Sequence, residues 1–210
     1  MHIKSQLCFL FSSLSGQRKE IAQTLVVNIL DTLTDDDYVT VVRFSDELEP
    51  VVKCFGERLV EANKQNIELF KDSLSDLNTT DIADFRKALM AAFDILQKAN
   101  KSDQASQCNQ AIMLVTDGAP DTYREIFERY NYPRISIRVF TYLVGKEVTE
   151  TKEVNLMACE NRGYYTQVTS LSEIRELVQL YLPVMSRPLV LSEHRVFRFT
   201  GVYADVTVSA

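Results

Sequence analysis

The ten residues Gln110–Ala119, QAIMLVTDGA, decide the fold. Ala111 to Val115 is an unbroken apolar run, the pattern of a strand buried on both faces of a parallel sheet. It stops at Thr116-Asp117-Gly118, where a hydroxyl, a carboxylate and a flexible residue follow one another. In an open α/β sheet, ligands bind in the crevice beyond the carboxyl ends of the strands. A carboxylate carried there by a rigid strand can hold a hard cation such as Mg²⁺ or Ca²⁺, which prefers oxygen ligands. Asp117 can equally cap the helix that follows, a common use of Asp. The stretch alone leaves both roles open.

Working outward, the same alternation of apolar strand and amphipathic helix recurs. Tyr38–Phe44 (YVTVVRF) and Ile135–Val144 (ISIRVFTYLV) are β-branched and aromatic runs that read as strands, as does Tyr164–Val168. A shorter extended piece is expected at Val51–Phe55, paired as a hairpin. Apolar residues at helical spacing predict helices over Arg18–Leu33, Asn63–Leu77, Asp81–Gln97, Tyr123–Tyr130, Glu153–Glu160 and Leu171–Met185. Leu7–Phe11 reads either as the first core strand, entering a Ser-rich turn at Ser12–Gly16, or as the apolar stretch of a short signal peptide. The acidic triplet Asp35-Asp36-Asp37 reads as a solvated loop. Strands alternating with helices up to Met185 mean a mainly parallel sheet covered on both faces. Arg187-Pro188 punctuates the chain, and Val196–Val208 shows β-like alternation with no helix after it.

With 210 residues the chain is long enough for one sizeable core, and 46% hydrophobic and 25% charged residues are those of an ordinary globular protein. A net charge of −6 argues against a nucleic-acid partner held mainly through its phosphates. No apolar run reaches the about 18 residues that a membrane-spanning helix needs. Cys8, Cys54, Cys108 and Cys159 are widely scattered, a poor spacing for zinc and too sparse for a disulfide-held scaffold. Asn78-Thr79-Thr80 and Asn100-Lys101-Ser102 are glycosylation sequons in a chain that enters the secretory pathway. No phosphate-binding glycine loop and no G-x-S-x-G follows any strand, and His2 and His194 lie near the chain ends, so the residues do not speak for an enzyme.

Several phrases carry a resemblance. ILDTLTDDDYV (Ile29–Val39), CNQAIMLVTDGA (Cys108–Ala119), FERYNYP (Phe127–Pro133), IRVFTYLVGKEV (Ile137–Val148), MACENRGYYTQV (Met157–Val168) and YLPVMSRPLV (Tyr181–Val190) are similar to the von Willebrand factor type A domain of the alpha-2/delta auxiliary subunits of voltage-gated calcium channels. The likeness runs from about Gln17 to Val190. It implies a Rossmann-like, mostly parallel sheet with helices on both faces over residues 1–187, and over 188–210 the start of a following Cache-like β region. It implies a non-enzymatic binding module on the extracellular side of the plasma membrane, N-glycosylated at Asn78 and Asn100. The implied partner is a pore-forming channel subunit, whose trafficking and current the module supports.

The resemblance also implies a metal-ion-dependent adhesion site. Its parts are a D-x-S-x-S turn after the first strand, a threonine from a later loop, and the aspartate of T-D-G, with a partner's carboxylate completing the shell of Mg²⁺ or Ca²⁺. Carried over residue by residue, the metal set is Ser13, Ser15, Thr80 and Asp117, and Asp117 alone transfers cleanly. Phe11 stands where the first aspartate belongs. In the ungapped alignment the aspartate and first serine fall on Phe9 and Phe11, and the second serine on Ser13. Ala83 falls at the threonine's place, with Thr80 serving only if the loop bends differently. Asp121 and Tyr123 are expected on the crevice rim as partner contacts, and Tyr164-Tyr165 as packing.

Overall fold

The computed structural model describes residues 5–12, 14–75, 83–101, 109–146 and 151–190. Its organising element is β1 (Ser5–Ser12), so Leu7–Phe11 forms a strand. On one side it pairs in parallel with β2 (Tyr38–Phe44), on the other with β5 (Asn109–Thr116). β6 (Ile137–Val144) and β7 (Tyr165–Val168) extend the parallel sheet beyond β5. Two short antiparallel strands, β3 (Leu48–Pro50) and β4 (Val60–Glu61), pair with β2 at the other side. Among the described residues the sheet has seven strands, in the order β3-β2-β1-β5-β6-β7 with β4 also on β2.

Alternation along β1 splits the core between the two faces. Leu7, Phe9 and Phe11 pack with Ala111, Met113 and Val115 of β5 against α1 (Gly16–Leu30), α2 (Lys64–Ser75), α6 (Ile174–Val178) and α7 (Tyr181–Val190). Cys8 and Leu10 pack with Ile112 and Leu114 against α3 (Phe85–Lys101), α4 (Arg124–Tyr130) and α5 (Thr151–Glu160). Both faces of β1 and β5 are therefore dry, which is why these strands read as unbroken apolar runs. Burial pushes the Cys8 thiol up to about 12, so it serves as a small core side chain, whereas Cys54 and Cys159 are free and exposed.

Three stretches differ from expectation. Val51–Phe55 is a bend and turn: the Val51 N–H still donates to the Val41 carbonyl at 2.9 Å, and the chain then turns away toward Gly56, which takes a left-handed φ of +60°. Val51 and Val52 are nonetheless buried, and Phe55 leans on Phe70. Within the acidic triplet Asp35 and Asp36 are exposed, but Asp37 is buried. Its Oδ1 accepts from the Ser5 backbone N–H at 2.8 Å and its Oδ2 from that of Thr34 at 3.0 Å, tying the loop to the start of β1. The last helical region is broken at Gln179-Leu180, and α7 runs past Arg187-Pro188 to Val190, anchored by the buried Val184 and Met185. Residues 191–210, with the β-like stretch, lie outside the described residues.

Tyr142 on β6 and Tyr181 on α7 are buried on the α1 face, and burial raises both phenols, that of Tyr181 to about 12. Tyr181 also shares a 2.6 Å hydrogen bond with the Thr32 hydroxyl. Unfolded tyrosine ionises near pH 10, roughly its ordinary value. Above that pH the unfolded chain gives up protons that the folded one retains. The stabilisation is thus complete below about pH 10 and is lost as pH rises through the folded values. The urea midpoint should fall between pH 9 and pH 11, and the Tyr181→Phe and Tyr142→Phe double variant should flatten that fall.

Candidate functional site at the carboxyl end of the sheet

β1 and β5 end side by side, with Phe11 level with Val115 and Ser12 paired to Phe44 of β2. The chain then turns into α1 through Ser15, which is extended (φ −121°, ψ 158°), and Gly16, whose φ of +57° favours a residue without Cβ. The Ser15 side chain makes no capping hydrogen bond to the helix. One turn inside the helix, Arg18 reaches back across the crevice. Its Nη1 donates to Oδ2 of Asp117 at 2.9 Å, so the T-D-G carboxylate is paired with a guanidinium. Both side chains remain about two-fifths exposed (43% and 39%), which limits the pair to about 1 kcal/mol of stability at most.

The Asp117 loop is held by its own threonine. Buried Thr116 donates through Oγ1 to the Gly118 carbonyl at 2.7 Å and accepts from the Gly118 N–H at 3.3 Å. Asp117 does not cap a helix, because α4 begins only at Arg124, with Tyr123 at its N-cap in a left-handed conformation (φ 49°). Tyr123 is a brace and not a rim contact. It is nine-tenths buried, stacked on Phe85 of α3 at 5.8 Å, with the Arg86 guanidinium 5.9 Å above its ring. Asp121 is exposed, its Oδ1 accepting from the Thr122 N–H at 2.7 Å. Ala83 packs against the core and carries no side-chain oxygen. Asp84, next to it, caps α3 by accepting from the Lys87 N–H at 3.1 Å.

Of the expected metal set, Asp117 and Ser15 are placed at this end, while Ser13 and Thr80 lie outside the described residues. The sequon residue Asn78 lies outside them too, and Asn100 falls in the last turn of α3. Two features escaped the sequence reading. Arg18, 99 positions from Asp117, has no local signal that could announce the pair. Ser12 is buried, on the same face as Leu10, and its hydroxyl has no hydrogen-bond partner.

The von Willebrand factor type A domain model matches residues 12–180. The chain belongs to that family. Its curated relatives include the rat voltage-dependent calcium channel subunit alpha-2/delta-3, 41% identical over 197 residues that make up 94% of this chain and 18% of the relative. The human subunit alpha-2/delta-4 is 39% identical, over 92% of this chain and 17% of the relative. The chain thus spans less than a fifth of the length of these relatives. Among solved structures, the von Willebrand factor type A protein from Catenulispora acidiphila superposes with a TM-score of 0.71 at 17% identity, over 88% of this chain and 43% of that one. Proximal thread matrix protein 1 of the mussel byssus, solved with a zinc-occupied MIDAS motif, superposes with a TM-score of 0.62 at 14% identity, over 87% and 48%. At those identities the structures show the shared fold.

A von Willebrand A domain that holds a divalent cation at this end needs negatively charged oxygen donors, because affinity follows ligand charge. Asp117, the carboxylate of the expected set among the described residues, is already paired with Arg18. Phe9 and Phe11, which stand at the two alternative positions for the second carboxylate, are fully buried in the core beneath α1. The hydroxyls of Ser12 and Ser15 are neutral. Among the described residues no three His, Cys, Asp or Glu side chains converge, a pattern distinct from the hydroxyl-rich set expected here. Of the four expected ligands the described residues include Ser15, which is neutral, and Asp117, which is paired with Arg18.

Proposed function

We propose that this von Willebrand A domain is a non-enzymatic protein–protein contact module of a voltage-gated calcium channel auxiliary subunit. It acts on the extracellular side of the plasma membrane and supports trafficking and current of a pore-forming subunit. Contact is made at the carboxyl end of the sheet without a bound cation. The observation that carries this reading is the Arg18–Asp117 pair, which puts a fixed positive charge on the T-D-G carboxylate. A guanidinium there keeps spare N–H donors for an acidic side chain of the partner. Asn78 and Asn100 would carry glycans.

A second reading keeps the cation, with Ser13, Ser15, Thr80 and Asp117 as oxygen ligands after Arg18 has swung aside. The zinc-occupied neighbour of like fold favours it. Capture of the pore-forming subunit by the glycosylated chain, with and without EDTA, separates the two. Metal-independent contact predicts capture unchanged by EDTA, lowered at least about tenfold in Arg18→Glu, as loss of a charged hydrogen bond would give, and weakened in Asp121→Ala. Capture abolished by EDTA would establish the second reading. Capture absent under every condition would end both. In calorimetry, Mg²⁺ and Ca²⁺ should give no saturable heat, and Asp117→Ala should look the same.

A further inference from the structure

The sheet ends in two unlike edges. On one side β3 and β4 carry Glu49, Pro50 and Glu61, the charges and proline that keep an edge strand from pairing with another chain. On the other side β7 pairs with β6 alone. From Tyr164 to Ser170 this edge has neither a charge nor a proline. The Thr141 N–H donates to the Tyr164 carbonyl and the Gly145 N–H to that of Val168, both at 3.0 Å. Alternate residues of β7 therefore turn their backbone toward β6. Tyr165 and Gln167 lie between them and present their N–H and C=O groups outward. Among the described residues those outward groups have no partner. The side chains leave the edge clear as well. Tyr165 packs on the α3 face, and Gln167 folds back to donate to the Gly145 carbonyl at 2.9 Å.

Outward groups at two positions, one residue apart, are met by the same strand turned about a two-fold axis through Thr166. Tyr165 then lies opposite Gln167 of the second copy, and Gln167 opposite its Tyr165. Each of these pairs exchanges two N–H···O=C bonds in an antiparallel ladder. The charges that flank the strand suit the same arrangement. Arg162 precedes it, exposed and in no ion pair among the described residues. Glu173 follows it, also exposed, its carboxylate folded back to accept from the Thr169 hydroxyl at 3.0 Å. The two-fold register sets Arg162 opposite Ser170 of the second copy, next to the Thr169 that holds the carboxylate. Opposite charges thus meet at both ends, a match that favours a second copy over an unrelated extended segment. We propose that β7 is a self-association edge through which two copies of the chain join their sheets, beyond β6 and apart from the Arg18–Asp117 crevice. With four residues in β7 the contact falls below the about 1,000 Å² of a stable interface, so the dimer is weak.

Sedimentation velocity of the full chain from about 5 to about 500 µM, in about 0.15 M salt to screen the net charge of −6, tests it. A reversible monomer–dimer equilibrium is expected, with a Kd on the order of 100 µM. Amide exchange at Tyr165 and Gln167 should then be about threefold slower at the upper concentration than in the dilute monomer. Arg162→Glu and Glu173→Arg should each weaken the dimer about fivefold, and the two together should restore it. Gln167→Pro removes an outward N–H, leaves the bonds to β6 in place, and should keep the chain monomeric. A chain that is still monomeric at the upper concentration would overturn the proposal. So would a dimer that Gln167→Pro leaves intact, or one in which the Tyr165 and Gln167 amides exchange as fast as in the monomer, because its contact lies elsewhere.

Discussion

Gly163→Ala is expected to destabilise the domain by about 4 kcal/mol or more, enough to leave little folded protein at physiological temperature. A Cβ on Gly163 would lie 1.7 Å from the Val139 carbonyl oxygen and 2.5 Å from its carbon. The obstacle is backbone, so no rotamer change relieves it. The turn from α5 into β7 is strung tightly along β6. Val139 N–H donates to the Asn161 carbonyl at 3.3 Å, Thr141 N–H to that of Tyr164 at 3.0 Å, and Gly163 N–H to that of Ala158 at 3.0 Å. Making room means lifting this turn off β6 and losing those bonds. Denaturant unfolding of the variant beside the parent is the measurement. A loss below about 1 kcal/mol, ordinary for a surface substitution, would show that the approach is not as close as described.

Asn131→Ala should cost about 3 kcal/mol, through polar groups left unpaired rather than through a clash. Asn131 and Asn161 are buried amides, 3% and 0% exposed, that join two segments distant in sequence. Asn131 Nδ2 donates to the Ile137 carbonyl at 2.8 Å and to Asn161 Oδ1 at 2.9 Å, and its Oδ1 accepts from the Ile137 N–H at 3.0 Å. Asn161 Nδ2 in turn donates to the Met157 carbonyl at 2.8 Å. Alanine strands both backbone groups of Ile137 and the Asn161 oxygen in a site closed to water. Tm should fall by about 6–12 °C for a chain of this size. Asn131→Asp should do no better, since the carboxylate keeps the acceptor but loses both donors. A variant that melts within about 2 °C of the parent would mean that water reaches the pocket.

These two sites show what local reading can reach. Tyr38–Phe44 is recovered as a strand with its own bounds, and the stripe Ile21, Ala22, Leu25, Val26, Ile29 and Leu30 is the buried face of α1. Burial on a periodic element imprints itself on neighbouring residues, so pattern suffices there. Asp37 looked like one of three solvated carboxylates because nothing adjacent distinguishes it. Only the fold brings the Ser5 N–H to its oxygen. Arg18 and Asp117 belong to elements 99 residues apart, and the Asn131–Asn161 pair to elements 30 apart. Such partnerships are made by topology, and no spacing along the chain records them. For the candidate site the sequence therefore showed the carboxylate and the missing acid at Phe9 or Phe11, but not the guanidinium opposite.

The central place of β1 bears on how the chain is made. The strand is synthesised before both of its neighbours in the sheet, Tyr38–Phe44 and Asn109–Thr116. At a translation rate of about 5–20 residues per second, β5 follows β1 by roughly five to twenty seconds. Throughout that interval Leu7–Phe11 has an open strand edge, a template for wrong pairing with other nascent chains. Truncation before Asn109 should make this state permanent, giving a product that precipitates or stays bound to a chaperone, while synthesis through β6 should restore solubility.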